Sequence, residues 1–202
     1  MSSSRSLVSG LILLMAAVVP AYAQRRWERL PPPRDPQFYE PRNKLEDFDG
    51  RMQTILVKGR HWTGTARAQN GSARVEAIEI RDSDKGTRTT GVMVTLVAFQ
   101  PNPNNEELRS LIDYEEIEPL VRAMDTLIKA DENVTKLSHF EEHYRTVGDF
   151  EVIVFKQLTG TGVAAAIEGG FFDRLRLLMT IDDLTKLRWM IAQAKDKLDE
   201  VK

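Results

Sequence analysis

The scarcest reactive groups in this 202-residue chain are its three histidines, and there is no cysteine. Two of the histidines fall in the string His139-Phe140-Glu141-Glu142-His143, which satisfies H-x-x-E-H. On a helix, that spacing puts both imidazoles on one face. His139 and His143 then bind one zinc ion, and Glu142 activates a zinc-bound water, the chemistry of inverted zinc metallopeptidases. On a strand the same two histidines lie about 13 Å apart, at roughly 3.3 Å per residue, which is too far for one ion. Leu137, Phe140, Tyr144 and Val147 fit a helical stripe. However, Val147-Gly148-Asp149 reads as a turn and Phe150 to Leu158 as a strand, so 136–146 is expected to be the first arm of a hairpin. The string is then a polar strand face with Phe140 and Tyr144 turned inward.

The other strings with chemical potential are weaker. Asp82-Ser83-Asp84-Lys85-Gly86 begins like a calcium loop, but it lacks a third oxygen ligand and the bidentate glutamate at position twelve, so a hairpin turn explains it. Gly160-Thr161-Gly162 is too short for a dinucleotide fingerprint, and no phosphate loop or nucleophile elbow occurs. His61-Trp62 has two readings on an expected loop, a stacking platform for a ligand or a core lid. Asp113, Glu115, Glu116 and Glu118 have the charge to hold a hard cation, and they equally suit the positive end of a helix dipole. Without cysteine there is no thiolate metal site, disulfide framework or lipoprotein anchor. A net charge of −2 gives no drive toward nucleic acid. No cofactor is expected.

The N-terminus has the parts of an export signal. Arg5 is followed by the uncharged run Leu7 to Pro20 and by Ala21-Tyr22-Ala23, which sets cleavage between Ala23 and Gln24. The apolar run is shorter than the roughly 20 residues of a membrane-spanning helix, and no later segment approaches that length. Residues 24–45 hold Pro31, Pro32, Pro33, Pro36 and Pro41, five of the nine prolines, and six basic residues against three acids. So much proline predicts an extended tether. It is either a solvated spacer or a docking arm. In the second case Arg25 and Arg26 meet anionic lipid or polymer, or an envelope protein, and Trp27, Phe38 and Tyr39 insert into the partner.

Residues 46–202 must then supply a single domain. Strands are expected at 52–60, with Ile55 and Val57 on one face, and at 74–81, 88–99, 108–112, 150–158, 163–167 and 171–179. A long loop is expected from His61 to Ser72. Ile117, Leu120, Val121, Met124, Leu127 and Ile128 form one apolar stripe of a helix whose first turn contains Pro119. Leu184, Leu187, Met190, Ile191, Ala194, Leu198 and Val201 form another, capped by Thr180 with Asp183, while Trp189 lies off the stripe over a sheet edge. The elements fall into two rounds of strands followed by a helix. The expected class is α+β, an antiparallel sheet of about six to eight strands with two amphipathic helices packed on one face.

Ser110-Leu111-Ile112-Asp113-Tyr114-Glu115-Glu116-Ile117 and Gly148-Asp149-Phe150, with the strand–helix order around them, resemble a group of small exported bacterial proteins of unknown function. The resemblance covers about residues 46–201. It implies a signal peptide before one α+β domain, and it brings no activity and no functional residues. The expectation is a non-catalytic envelope protein, periplasmic or extracellular, that acts as a binding module and is not an integral membrane protein. The alternatives are a metal-dependent hydrolase centred on His139, Glu142 and His143, and a lipid- or small-ligand-binding cup.

Overall fold

A computed structural model describes residues 40–99, 107–157, 162–170 and 174–201. The expected signal segment with its Ala23–Gln24 cleavage point lies outside these residues. So do Arg25, Arg26, Trp27, Phe38 and Tyr39 of the tether and the Gly160-Thr161 turn. A short helix, α1 (Lys44–Asp49), precedes β1 (Leu56–Ala68), β2 (Gly71–Asp82), β3 (Arg88–Ala98) and β4 (Glu107–Asp113), and the helix α2 (Tyr114–Leu127) closes this round. The second round is β5 (Glu141–Arg145), β6 (Glu151–Lys156), β7 (Val163–Gly169) and β8 (Leu175–Met179), closed by α3 (Ile181–Glu200). No described helix is long and apolar enough to cross a membrane.

The fold is α+β, but the strands form two four-stranded sheets rather than one. Their orders are β1-β2-β3-β4 and β5-β6-β7-β8, antiparallel throughout. Tight turns dictate pairing only between the strands they join. Nothing of that kind spans α2, so β4 and β5 are free to belong to different sheets. The helices tie the rounds together. α2 packs on β3 and β4 and also on β5 and β6, whereas α3, which ends the second round, lies mainly on β1 and β2 of the first. Arg188 of α3 grips Asp125 of α2 through two bonds, at 2.9 and 2.7 Å.

One core results. β2 alternates Ala73, Val75 and Ala77 inward with Arg74 and Glu76 outward. The inward residues meet Val152, Ile167 and Leu177 of the second sheet, Leu120 and Met124 of α2, and Leu187 and Ile191 of α3. The sheets join at the β1–β2 turn. There the Gln69 amide donates to Leu178 O at 2.8 Å, and Asn70 accepts from the Leu178 amide at 2.8 Å and donates to Arg176 O at 2.9 Å. Gly71 permits this approach, since a β-carbon would stand 2.2 Å from Val97 O and 2.6 Å from the Leu177 side chain.

A second, smaller cluster lies on the other face of the first sheet. Leu45 and Phe48 of α1 cover Ile78, Ile80, Met93 and Leu111. α1 was not expected, because six residues are too few to show a helical period. The folded chain therefore begins earlier than the expected boundary at 46. Arg42 pairs with Glu46 at 2.7 Å and also with Asp149, and Leu45 is wholly buried.

The expected loop from His61 to Ser72 is also corrected, since β1 and β2 form a long hairpin through it. A bulge between Trp62 and Gly64 breaks the alternation on which a strand reading depends. Ile55 and Val57, expected on one face of the first strand, are exposed, as is Met52. Trp189 is exposed as well.

Leu45→Ala should lower the unfolding free energy by about 2–5 kcal/mol, as for other leucines buried in a core. Urea titration measures it. An unchanged midpoint would mean that α1 does not belong to the cooperative unit.

Candidate functional site

The inner face of the first sheet is filled by the core, and α1 covers only part of its outer face. Read across the strands, the outer rows are Arg60–Ile78–Gly91–Asp113, Trp62–Glu76–Met93–Leu111 and Thr65–Arg74–Thr95–Arg109. Lys58 lies one row beyond Arg60, and Arg67 one row beyond Thr65. Five basic side chains thus face three carboxylates, Glu76, Asp113 and, at the far end of the Arg67 row, Glu107. One of the three, Asp113, is occupied in holding α1, accepting the Lys44 amide at 2.9 Å and the Leu45 amide at 3.0 Å. Asn43 accepts the next amide, that of Glu46, at 2.9 Å, so the first turn of α1 is fully capped. Leu45 then sits on Gly91, where a β-carbon would be 2.5 Å from its side chain.

Between α1 and β1 runs a cleft of about 410 Å³. Ile78, Ile80, Met93 and Leu111 form its floor, and Arg42, Glu46, Asp49, Lys58, Arg60 and Arg109 its walls. Most of the wall charges answer one another. Arg42 pairs with Glu46, Lys58 with Asp49, and Arg109 with Glu107 at 2.9 Å. Arg60, at the wall, and Arg74, in the next open row, have no ion-pair partner among the described residues.

The outer face of the second sheet is neutralised from within. The Glu151 carboxylate, with the residue only 3 % exposed, accepts from Arg145 and Arg174, each at 2.6 Å, and lies 2.7 Å from His143 Nδ1. Burial pushes this carboxyl up. The hydrogen bonds from Arg145, His143 and Arg174, with the Arg145 charge, outweigh it and hold the group below its ordinary range. Glu168 continues the ladder, with Arg174 at 3.0 Å and with Arg176.

This arrangement follows the strand reading of H-x-x-E-H rather than its metal alternative. Glu142 and His143 lie on strand β5, His139 precedes it, and His143 faces Glu151. The helix that would bring the three side chains onto one ion is not there. Among the described residues, no group of three or more His, Cys, Asp or Glu is placed to hold a metal.

The acidic cluster is likewise engaged. Glu115 meets Lys44 at 2.6 Å, and Glu116 accepts the Val147 amide at 2.6 Å and the Asp113 amide at 3.2 Å. Burial raises the Glu116 carboxyl, although those two bonds oppose it. Asp82 closes its own turn, accepting Thr54 Oγ1 at 2.8 Å and the Asp84 and Lys85 amides at 3.1 Å. Trp62 is on a strand, 62 % exposed, and neither sits on a loop nor lids the core. With His61 it borders a shallow depression against Gln193, Asp196 and Lys197 of α3.

Sequence reasoning missed Arg60 and Arg74. Their signal was the basic alternation Lys58-x-Arg60 on β1 and the outward parity of Arg74 on β2, obscured by the bulge between them.

Comparison with known proteins gave no match to a family, a curated protein or a solved structure. Fold and site together define an α+β protein of two antiparallel meanders, each followed by a helix, with a partly covered basic face on the first sheet.

Because the Glu151 carboxyl is depressed in the folded state, its contribution to stability is present above the unfolded carboxylate value and is lost as pH falls through the folded value. Glu151→Gln should cost about 2 kcal/mol at neutral pH and flatten the acid limb of the stability curve. Denaturant midpoints at neutral and acid pH check this. An equal acid slope in wild type and variant would contradict it.

Proposed function

We propose that this is an exported bacterial envelope protein, periplasmic or extracellular, that is not a catalyst and works as a binding module. Its working surface is the outer face of the first sheet. The observation that carries this reading is the pair Arg60 and Arg74, guanidinium groups without a carboxylate partner among the described residues, on a face that α1 covers only in part. A guanidinium presents a planar fork of donors suited to carboxylate or phosphate, so the partner is anionic. The second sheet, whose charges answer one another, supports the same choice by contrast. The resemblance to small exported bacterial proteins and the signal-like N-terminus support the location. The basic, proline-rich segment ahead of Glu40 is a second contact of the same sign, suited to anionic polymer, lipid or an envelope protein.

Envelope co-sedimentation tests this. The double variant Arg60→Glu/Arg74→Glu should lose binding by at least about tenfold, equivalent to about 1.4 kcal/mol. Deletion of residues 24–39 should weaken binding without changing the melting temperature. If charge reversal leaves the bound fraction unchanged, the sheet face is not the binding surface.

A further inference from the structure

We propose that the cleft between α1 and β1 binds a small carboxylate with an apolar body, the carboxylate on Arg60 and the body along Ile78, Ile80, Met93 and Leu111. This rests on the reading of the first sheet's outer face as the working surface and assigns its ligand class. A volume of about 410 Å³ lies at the small end of the roughly 300–1,000 Å³ typical of ligand sites. It has room for one chain or ring system rather than for a two-chained lipid.

Charge fixes the head group. Arg42 with Glu46 and Lys58 with Asp49 cancel in pairs at the wall, and Arg109 is paired with Glu107. Arg60 is the one lining cation without a partner among the described residues, so the site matches a single negative charge. A phosphate dianion would face Glu46 and Asp49 with only one free cation. A nucleic acid, with one charge per roughly 1.7 Å of duplex, would meet the same two carboxylates repeatedly. A planar monoanion satisfies the guanidinium fork through two parallel bonds.

The floor fixes the rest of the ligand. Its four side chains are apolar, and α1 is held in place above them by Asp113. Ile78, Ile80 and Met93 are only 2–5 % exposed beneath α1 and Leu111 is partly buried, so an apolar ligand body completes a cover that is already nearly closed. A neutral apolar chain would leave Arg60 unanswered.

The test uses the exported protein purified from cells making the full chain, with decanoate, decanol and acetate as probes below any micelle-forming concentration. The reporter is the ¹³C-methyl signal of Met93, assigned with Met93→Leu. Decanoate should saturate the site and move the Met93 signal, with acetate and decanol each weaker by at least about tenfold. Arg60→Gln should weaken decanoate by about tenfold and leave decanol unchanged. Arg122→Gln, on the outer side of α2, should change neither.

Equal affinity for decanoate and decanol, an unaffected Arg60→Gln variant, or an unmoved Met93 signal would overturn the proposal. If decanoate fails while envelope association still depends on Arg60 and Arg74, the ligand class falls and the binding face stands. If Arg60 and Arg74 matter in neither assay, both fall.

Discussion

The outer face depends on one carboxylate. Asp113 ends β4, and its side chain turns back across the sheet to accept the first two amides of α1. Its own backbone amide donates to Glu116 at the start of α2. A buried acid at this position would be costly if left without partners. Here the first turn of α1 supplies them. Through this group α1 is anchored on Gly91, the apolar cluster around Met93 is closed, and one wall of the cleft is raised. Without it, a six-residue helix would have little reason to stay formed, since isolated helices of that length are unstable in water.

The two sheets show opposite treatments of charge. On the second, Glu151 and Glu168 are surrounded by Arg145, Arg174 and Arg176, and the cations and carboxylates answer one another across the strands. On the first, the residue directly opposite Arg60 is Ile78, and those directly opposite Arg74 are Thr65 and Thr95. Unpaired surface arginines cost the fold little, because water solvates them. They are therefore free to serve recognition.

Much of this architecture could be read from the residues, in proportion to how local its causes are. The α2 stripe from Ile117 to Leu127, the Thr180 cap of α3 and the Asp82 turn depend on neighbours in sequence, and all three stand where expected. So does the strand at His143, whose surrounding turns outweighed its helix-like spacing. What could not be read depends on distant partners. α1 exists because Asp113, far along the chain, caps it. β1 runs on through His61 and Trp62 because its outer face has no need to be apolar. The division into two sheets follows from α2 and α3 packing across both rounds, which no periodicity records. The basic outer face shares that cause, because the bulge at Trp62–Gly64 shifts the parity by one and scatters its arginines in the sequence.

The position of α3 also has a consequence in time. The helix that covers β1 and β2 is the 20-residue α3, far along the chain from both, so the first sheet keeps an open apolar face until α3 has been made. Contacts between elements far apart in sequence form late, because the loop between them must close first. The domain therefore closes only when α3 arrives, and before that neither round has its full apolar cover.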